Sequence, residues 1–374
     1  MPNFNQRVQV YLESKKHTQA PKTFRSNRAR ANNLMTAFGQ FNVESIKEER
    51  IQRWIDKQHP VWSNKTLNEH FTILRAIFAS AEANGLIMKN PMANIHNFKT
   101  TTKEPNPFTL SDIKAILNHK KLCRIARLLI GLGVMTGLRI SELLGLSWCC
   151  VNFEQMKLSV KWAKSSDGYR VPKTEGSVRC VDLNEHALAM LRELHDLTGN
   201  KRSFKVQVLL ADNKSFRAET VKPVFINSKT NRAFIDDKQF AKTFLTPALA
   251  ELSIEHRGPG QVRHTFASQA LTAGINENYI AKQMGHRDTE VIRKHYARWI
   301  DADADDNADR LGKAFNRAFD VNETSTNQIV ETTDASQIYN NVDVIETLRM
   351  VMALQKQPNM LTAISALLGN GGQP

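Results

Sequence analysis

Cysteine is scarce in this chain, and long apolar runs are missing altogether. The four cysteines, Cys123, Cys149, Cys150 and Cys180, form no CxxC pair and have no paired histidine beside them, which argues against a zinc site and against a disulfide framework. Cys149 and Cys150 follow Trp148 in an apolar stretch and are predicted to be buried thiols. No segment is long enough to span a membrane, and the N-terminus lacks the apolar core of a signal peptide. These absences predict a soluble protein in a reducing compartment, the cytoplasm.

Positive charge is in excess, and it is unevenly spread. The net charge is +14 over 374 residues, with +8 in residues 1–100, +12 in residues 101–300 and −6 in residues 301–374. A chain of this length is long enough for two domains and a tail. Two basic blocks followed by an acidic one predict two modules that contact a polyanion, such as nucleic acid, and a third that does not.

Helical periodicity dominates the first hundred residues. Asn64 can cap a helix whose apolar positions recur at helical spacing, and Gly85 follows the end of that helix. A second apolar face precedes Pro60 and comprises Ile46, Ile51, Trp54 and Ile55. Basic residues stand between the predicted helices, namely Arg25, Arg28 and Arg30. Residues 1–99 are therefore predicted to form a small helical bundle with a basic face.

A linker and a second domain follow this bundle. Residues 100–107 contain two prolines and no apolar periodicity, which is typical of a linker. The second domain is predicted over residues 108–300 and begins with a helix that Thr109 can cap. Helical patterning returns from Asp237 to Trp299.

The middle of the second domain changes period. Apolar and polar residues alternate over Lys157–Trp162 and again over Val178–Leu183, with glycine and proline between the two segments. This pattern predicts a small antiparallel sheet within a helical domain. The predicted fold class is therefore mainly α with one small antiparallel β-sheet.

The last part of the chain, residues 301–374, is predicted to be an acidic, partly flexible extension. Residues 321–342 are rich in Asn, Thr, Gln and Asp, which is typical of a flexible segment. Apolar residues over Val344–Leu354 recur at helical spacing and predict one more amphipathic helix.

Three separated segments carry groups suited to phosphate chemistry. In the segment Thr136–Leu144, Gly137 permits a turn from which Arg139 can project, and Glu142 lies three residues on, on the same helical side. The segment Gly258–Ser268 supplies a second arginine, Arg263. A planar, permanently charged guanidinium can bind two phosphate oxygens at once, and a phenol can become a covalent nucleophile.

The third segment contains Gly285 and His286, and Tyr296 follows ten residues after His286. In this order and spacing the segments closely resemble the tyrosine recombinases, the phage-type integrases. The resemblance implies a helical core-binding domain followed by a tyrosine-recombinase catalytic domain. It also implies that DNA is broken and rejoined through a 3′-phosphotyrosyl link, with no metal and no cofactor.

The resemblance assigns a role to each residue. It makes Tyr296 the nucleophile, Arg139 and Arg263 the phosphate clamp, and His286 a hydrogen-bonding partner of the phosphate. The turn Val171–Arg179 resembles the turn whose lysine acts as general acid, which points to Lys173, with Lys164 as a competitor in the same region. Supporting roles fall to Glu142, which can hold Arg139, and to His264.

One position departs from the family's pattern. Gly260 stands three residues before Arg263, where most members have a histidine. His264 or His256 could supply an imidazole, although neither occupies the family's position. We expect His264 to pack and to hydrogen-bond rather than to catalyse.

The resemblance predicts a site-specific recombinase or integrase that integrates or excises a mobile element. Its expected partners are double-stranded DNA carrying recombination sites, three further copies of itself in a homotetramer on DNA, and accessory DNA-bending or directionality factors. The expected setting is a bacterial or phage-encoded protein at the nucleoid, with the acidic extension contacting a neighbouring protomer. Two alternatives stay open: an enzyme like a type IB topoisomerase, and a DNA-binding relative that has lost cleavage, for which Gly260 is the support.

Overall fold

The computed structural model of the protein describes residues 2–101, 104–172 and 178–301, with the backbone alone for residues 297–301. Lys173, the acidic extension from residue 302 onward and the helix predicted over Val344–Leu354 lie outside the described residues. The described residues belong to one compact unit. Every helix in this part of the chain is too short or too polar to cross a bilayer.

The N-terminal part is helical, as the periodicity predicts. Its helices are α1 (Phe4–Lys16), α2 (Pro21–Phe38), α3 (Glu48–Gln58) and α4 (Asn64–Ala83). They enclose a core in which the ring of Phe4 lies 5.6 Å from that of Phe38 and 6.0 Å from that of Phe78, measured between centroids. Apolar faces of amphipathic helices are stabilised mainly by this kind of mutual burial.

Two local predictions for this part were wrong. Ser63 caps α4 in place of Asn64, because Ser63 has an extended backbone and its hydroxyl accepts from the N–H of Thr66, whereas Asn64 is already helical. The three arginines expected between helices, Arg25, Arg28 and Arg30, lie within α2.

The second part is built around one helix, α6. Its helices are α5 (Leu110–Asn118), α6 (Arg124–Thr136), α7 (Ile140–Leu144), α8 (Glu185–Thr198), α9 (Asp237–Phe240), α10 (Thr246–Glu251), α11 (Gln261–Thr272), α12 (Glu277–Met284) and α13 (Glu290–Asp301). A π-helical stretch, Ala241–Leu245, joins α9 to α10. Helix α6 is buried on nearly every side because α5, α8 and α11 pack around it. Thr109 caps α5 in a capping box with Asp112, as predicted.

The β-structure is more extensive than the single antiparallel sheet predicted. The strands are β1 (Val151–Asn152), β2 (Lys157–Val160), β3 (Ala163–Ser165), β4 (Gly168–Arg170), β5 (Arg179–Asp182), β6 (Phe204–Leu209), β7 (Phe216–Val221), β8 (Ile226–Asn227) and β9 (Arg232–Ala233). The predicted sheet is present as β1-β2-β5, in which Leu158 pairs with Val181. A second sheet, β3-β4-β6-β7, contains a parallel pair, β4 with β6, and β8 pairs with β9.

The cysteine prediction was half right. Cys150 is buried in the core around α6, whereas Cys149 is exposed. The two residues belong to one short 3₁₀ turn, Trp148–Cys150, and their sulfur atoms lie 3.9 Å apart, although only Cys150 is covered by the core.

Candidate active site

Arg139 lies between α6 and α7. Gly137 ends α6 with a left-handed φ of 66°, a conformation that glycine adopts without steric cost. The backbone N–H of Arg139 then donates to Oε2 of Glu142 at 3.0 Å, and its guanidinium donates to Oε1 of the same carboxylate at 2.8 Å. Glu142 therefore fixes this arginine, of whose side chain 41% is exposed.

Glu142 binds two arginines from a buried position. Its side chain is 3% exposed, and Arg179 donates to its two oxygens at 2.9 and 3.3 Å. Burial alone would raise the pKa of Glu142, but the hydrogen bond and charge of Arg179 and the charge of Arg139 outweigh it, so the pKa lies below its ordinary value. Glu142 is therefore an anion that organises two cations.

Arg179 is a site residue that the sequence reasoning missed. Besides binding Glu142, its Nε donates to the carbonyl of Gln283 at 2.7 Å, and its side chain is only 6% exposed. The side chain of Gln283 in turn binds the backbone N–H and carbonyl of Asp182 at 2.9 and 3.0 Å. Strand β5 is thus joined to Glu142 and to the end of α12.

The sequence did contain a signal for Arg179. Alternation places Arg179 on the same face of β5 as Val181 and, just beyond the strand, Leu183, and both of these are buried. An arginine on a buried face needs a carboxylate partner, because an unpaired buried charge is costly.

Arg263 connects three parts of the site. It is 9% exposed, and its two Nη atoms donate to the carbonyl of Gly137 at 2.6 Å and to the carbonyl of Met284 at 2.7 Å. Gly137 precedes Arg139 by two residues, and Met284 precedes His286 by two. The guanidinium of Arg263 therefore fixes the backbone just before Arg139 and just before His286.

The charge of Arg263 is poorly compensated. Within the described ranges it makes no salt bridge, since its hydrogen-bond acceptors are carbonyls. Burial, and then the charge of Arg139, lower its pKa to about 9. The charge of Glu142 opposes this shift without reversing it. Because a guanidinium hardly ever gives up its proton in a protein, the shift expresses the cost of a buried cation without a direct ion pair in the described ranges.

His286 begins the loop after α12. Gly285 ends that helix with a left-handed φ of 68°. Burial, followed by the charges of Arg263, Arg139 and Arg179, lowers the pKa of His286 to about 4. The ring is therefore neutral near pH 7, and its Nδ1 is buried without a hydrogen-bond partner among the described residues.

Tyr296 lies in the middle of α13, which begins at Glu290 and continues to Asp301. Its side chain is 1% exposed. Burial raises the pKa of the phenol to about 12, although the charge of Arg263 opposes the shift. A short hydrogen bond joins the phenol oxygen to Nδ1 of His264.

His264 and Gly260 lie on α11 and at its N-terminal cap. Burial, then the charge of Arg263, then His295, lower the pKa of His264, so its ring is neutral near pH 7. Apart from its neighbours in the chain, no described residue would have an atom within 4 Å of a Cβ at Gly260. Within the described part of the chain, the position that carries histidine in most tyrosine recombinases is thus open.

Of the two candidate lysines, Lys164 is among the described residues and Lys173 is not. Lys164 is on β3, where its Nζ lies 4.2 Å from the ring centre of Tyr169, and burial lowers its pKa.

A cleft of roughly 520 Å³ separates the start of α2 from the Arg139 segment. Its lining includes Lys22 from the N-terminal helices and Arg139, Lys164 and Arg170 from the second part. At its edge Arg25 of α2 forms an ion pair with Asp167, in the turn between β3 and β4. Three acidic residues, Glu142, Asp167 and Asp237, also line the cleft, so its four cationic residues exceed the acidic ones by one.

The arrangement suits displacement at phosphorus. Guanidinium groups neutralise charge on non-bridging oxygens, a neutral imidazole offers a hydrogen bond, and a phenol supplies a nucleophile. The structure brings Arg139, Glu142, Arg263, His286 and Tyr296 into one site. In the described part of the chain, no three His, Cys, Asp or Glu side chains are grouped as a metal site requires.

Most of the chain matches the models of two known families of domains. Residues 106–302 match the model of the phage integrase family, and residues 3–59 match that of the phage integrase N-terminal SAM-like domain. Two relatives come from Escherichia coli strain K12. The protein named putative defective protein IntQ is 27% identical over 313 residues, which cover 76% of this chain and 77% of that one. Prophage integrase IntR is 28% identical over 244 residues, covering 63% of this chain and 58% of IntR.

Solved structures show the same fold. The Tn1549 transposon integrase in complex with transposon right end DNA superposes with a TM-score of 0.63 at 21% identity, over 82% of this chain and 99% of that one. A lambda integrase dimer bound to a core site gives a TM-score of 0.60 at 13% identity, over 79% and 95% of the two chains. A helical N-terminal part followed by a mainly α catalytic part, with small sheets, is therefore the fold of this protein.

Proposed function

Since the chain belongs to the phage integrase family and is a tyrosine recombinase, we propose that it cleaves and rejoins DNA at specific sites of a mobile element, with Tyr296 as the nucleophile. One observation carries the assignment. Arg263 binds the backbone next to Arg139 and next to His286, and it acts electrostatically on Tyr296. The groups that a phosphodiester cleavage needs therefore meet around one buried guanidinium.

In the proposed reaction the phenol oxygen of Tyr296 attacks a backbone phosphorus of DNA. A 3′-phosphotyrosyl bond forms, and the bond to the 5′ oxygen breaks. Arg139 and Arg263 neutralise the non-bridging oxygens, and His286 hydrogen-bonds one of them. Lys173 gives a proton to the leaving 5′ oxygen, a role that rests on the family resemblance. The reverse attack by a 5′-hydroxyl reseals the strand.

The proposed domain division follows the sequence. Residues 1–99 form the helical core-type DNA-binding domain, residues 100–107 the linker and residues 108–300 the catalytic domain. The net positive charge of both domains, and the cleft that both of them line with cationic residues, support double-stranded DNA as the substrate. A homotetramer on two DNA sites, accessory factors, and protomer contacts by residues 301–374 stay predictions.

Tyr296→Phe tests the proposal. The substitution removes one oxygen and no charge, so we expect covalent adducts to disappear while DNA binding stays near wild type. The substrate is a nicked duplex that carries the end sequence of the element encoding the protein, because loss of the short product strand traps the adduct. Adducts are resolved on a denaturing gel, and the modified peptide is identified by mass spectrometry.

The outcomes separate the candidate functions. An adduct that persists in Tyr296→Phe places the nucleophile elsewhere. A wild-type protein that binds DNA but never forms an adduct is the cleavage-deficient relative that Gly260 suggests. Adducts without strand exchange between two sites indicate action like that of a type IB topoisomerase.

A further inference from the structure

The contact between His264 and Tyr296 joins an imidazole directly to the reacting oxygen. Nδ1 of His264 and the phenol oxygen of Tyr296 form a short hydrogen bond, and the two rings lie 5.6 Å apart between centroids. The phenol is 1% exposed, so bulk water has almost no access to its proton. The proton therefore needs an acceptor within the protein before the oxygen can attack.

His264 lies one helical turn beyond the open position at Gly260. Residues four apart lie on the same face of a helix, and Gly260 has helical φ and ψ of −61° and −25°. Apart from the neighbouring residues in the chain, none of the described residues has an atom within 4 Å of the place where a Cβ of residue 260 would stand. The imidazole of His264 thus extends from the same face of α11 as a side chain at position 260 would.

The charged surroundings keep His264 in the form that can accept a proton. Arg263 on its own helix and His295 on α13 act on its ring, and both favour the neutral state, as does burial. His256, the other imidazole considered from the sequence, hydrogen-bonds Thr246 at 3.3 Å. His286 lies among the three arginines of the phosphate site.

We propose that His264 is the general base of this enzyme, taking over the work of the histidine that is replaced by Gly260. As the phenol oxygen of Tyr296 bonds to phosphorus, its proton passes to Nδ1 of His264, and the bond from phosphorus to the 5′ oxygen breaks. The 5′ oxygen leaves with a proton from the general acid. In rejoining, the 5′-hydroxyl attacks, the tyrosyl oxygen leaves, and His264 returns the proton. The inference rests on the proposed function of Tyr296.

The test uses full-length protein and single-turnover adduct formation on the nicked duplex. His264→Ala removes the base, and we expect the rate to fall by roughly 10²- to 10⁴-fold, the usual contribution of a general base. His264→Asn keeps a hydrogen-bond acceptor near Tyr296 but cannot take a proton, and it should be as slow as the alanine variant. His256→Ala is the matched control and should cleave at the wild-type rate.

The pH profile separates a base from a merely structural histidine. Wild-type cleavage should fall at low pH as His264 becomes protonated, and because its pKa is lowered, the fall should begin below the ordinary pH range of histidine titration. His264→Ala should lose this dependence. Added imidazole should partly restore its rate, and so should the double variant Gly260→His/His264→Ala.

Each result bears on the proposal. DNA binding and thermal unfolding show whether each variant is folded. Cleavage by His264→Asn at the wild-type rate would mean that the contact only orients the phenol, and the proposal would be wrong. It would also be wrong if His264→Ala were slow but kept the wild-type pH profile and gained nothing from imidazole. If the proposed function were wrong, the wild type itself would form no adduct at Tyr296. This outcome differs from both results that would contradict only the role of His264.

Discussion

Arg263 is a buried cation whose hydrogen-bond acceptors are two backbone carbonyls. The charge of Glu142 compensates it only in part, because burial and the charge of Arg139 outweigh it, so the free protein maintains a positive field for a phosphate that is not yet bound. Charge stabilisation of this kind is effective because the groups are already oriented and shielded from water. The two Nη atoms reach different elements, and a single ammonium group cannot do the same.

Arg263→Lys should therefore slow adduct formation on the order of 10²- to 10³-fold, although the charge is retained. Single-turnover cleavage of the nicked duplex measures the effect. Arg257→Lys is the matched control, because Arg257 also uses its guanidinium in the catalytic part, to bind Asp112 at 2.7 Å and the carbonyl of Pro107 at 3.2 Å. This control should lower the melting temperature and leave cleavage nearly intact. Cleavage by Arg263→Lys within a few-fold of wild type would show that cleavage does not need both hydrogen bonds of Arg263, to the carbonyls of Gly137 and Met284.

The sequence was sufficient to nominate most residues of the candidate site. Arg139, Glu142, Arg263, His286 and Tyr296 were all named from motifs, and the structure brings them together. Arg179 was missed because its partner Glu142 is 37 residues away in the chain, although strand alternation marked its face as buried. The contact of His264 with Tyr296 could not be foreseen, since it depends on how α11 packs against α13.

At the scale of elements, the end of α6 fixes the position of Arg139. Gly137 has a left-handed φ, and a Cβ at this position would lie 2.4 Å from Cδ1 of Phe266 on α11. The carbonyl of Gly137 also accepts from Arg263. The junction of α6 with α11 is therefore packed so closely that only glycine fits it.

Gly137→Ala should lower the free energy of unfolding for two reasons. The left-handed conformation costs about 1–2 kcal/mol for an L residue, and the clash with Phe266 adds about 1–3 kcal/mol. Gly85→Ala is the matched control, because Gly85 has nearly the same φ, +67°, but no atom within 4 Å of the added Cβ. Urea unfolding measures both free energies, and equal losses would show that the packing on Phe266 contributes nothing. We also expect slower cleavage in Gly137→Ala alone.

Elements with a buried apolar face were predictable, and those without one were not. The N-terminal helices, the helical stretch from Asp237 to Trp299 and the pairing of β2 with β5 followed from periodicity, because they place apolar residues in a core at regular spacing. Helix α8, Glu185–Thr198, was not predicted. Strands β6 and β7 lacked this signal. Phe204, Phe216 and most other residues of the two strands are exposed or half-buried, so the hairpin is held mainly by its own backbone hydrogen bonds. Pairing of this kind leaves no clear pattern of apolar residues in the sequence.

At the scale of the whole described unit, the Arg25–Asp167 ion pair joins the N-terminal helices to the catalytic part beside the cleft. Asp167 places a negative charge where phosphate is proposed to bind. Its ion pair with Arg25 also keeps that arginine from binding a phosphate. Such a pair is half-exposed, so it adds little to stability, but it competes directly with DNA.

Asp167→Asn should strengthen DNA binding several-fold at low salt and make the salt dependence steeper by about one counterion, because Arg25 becomes available to a phosphate. Fluorescence anisotropy over a series of salt concentrations measures both effects. Glu193→Gln is the matched control: it changes the net charge equally and breaks the surface pair with Arg124, which does not line the cleft. An equal gain in the two variants would mean that net charge alone is responsible.

The helical turn between Gly260 and His264 also bears on how such proteins diverge. A comparison made column by column counts Gly260 as the loss of a functional histidine. On a helix, however, neighbours in space are four positions apart, so an imidazole can be gained at one position before it is lost at the other, with no shift of the backbone. If His264 is the base, as proposed, a chain with both histidines would have kept a base throughout the exchange. Relatives that carry glycine at the first position and histidine at the second are then better described as relocated than as degenerate.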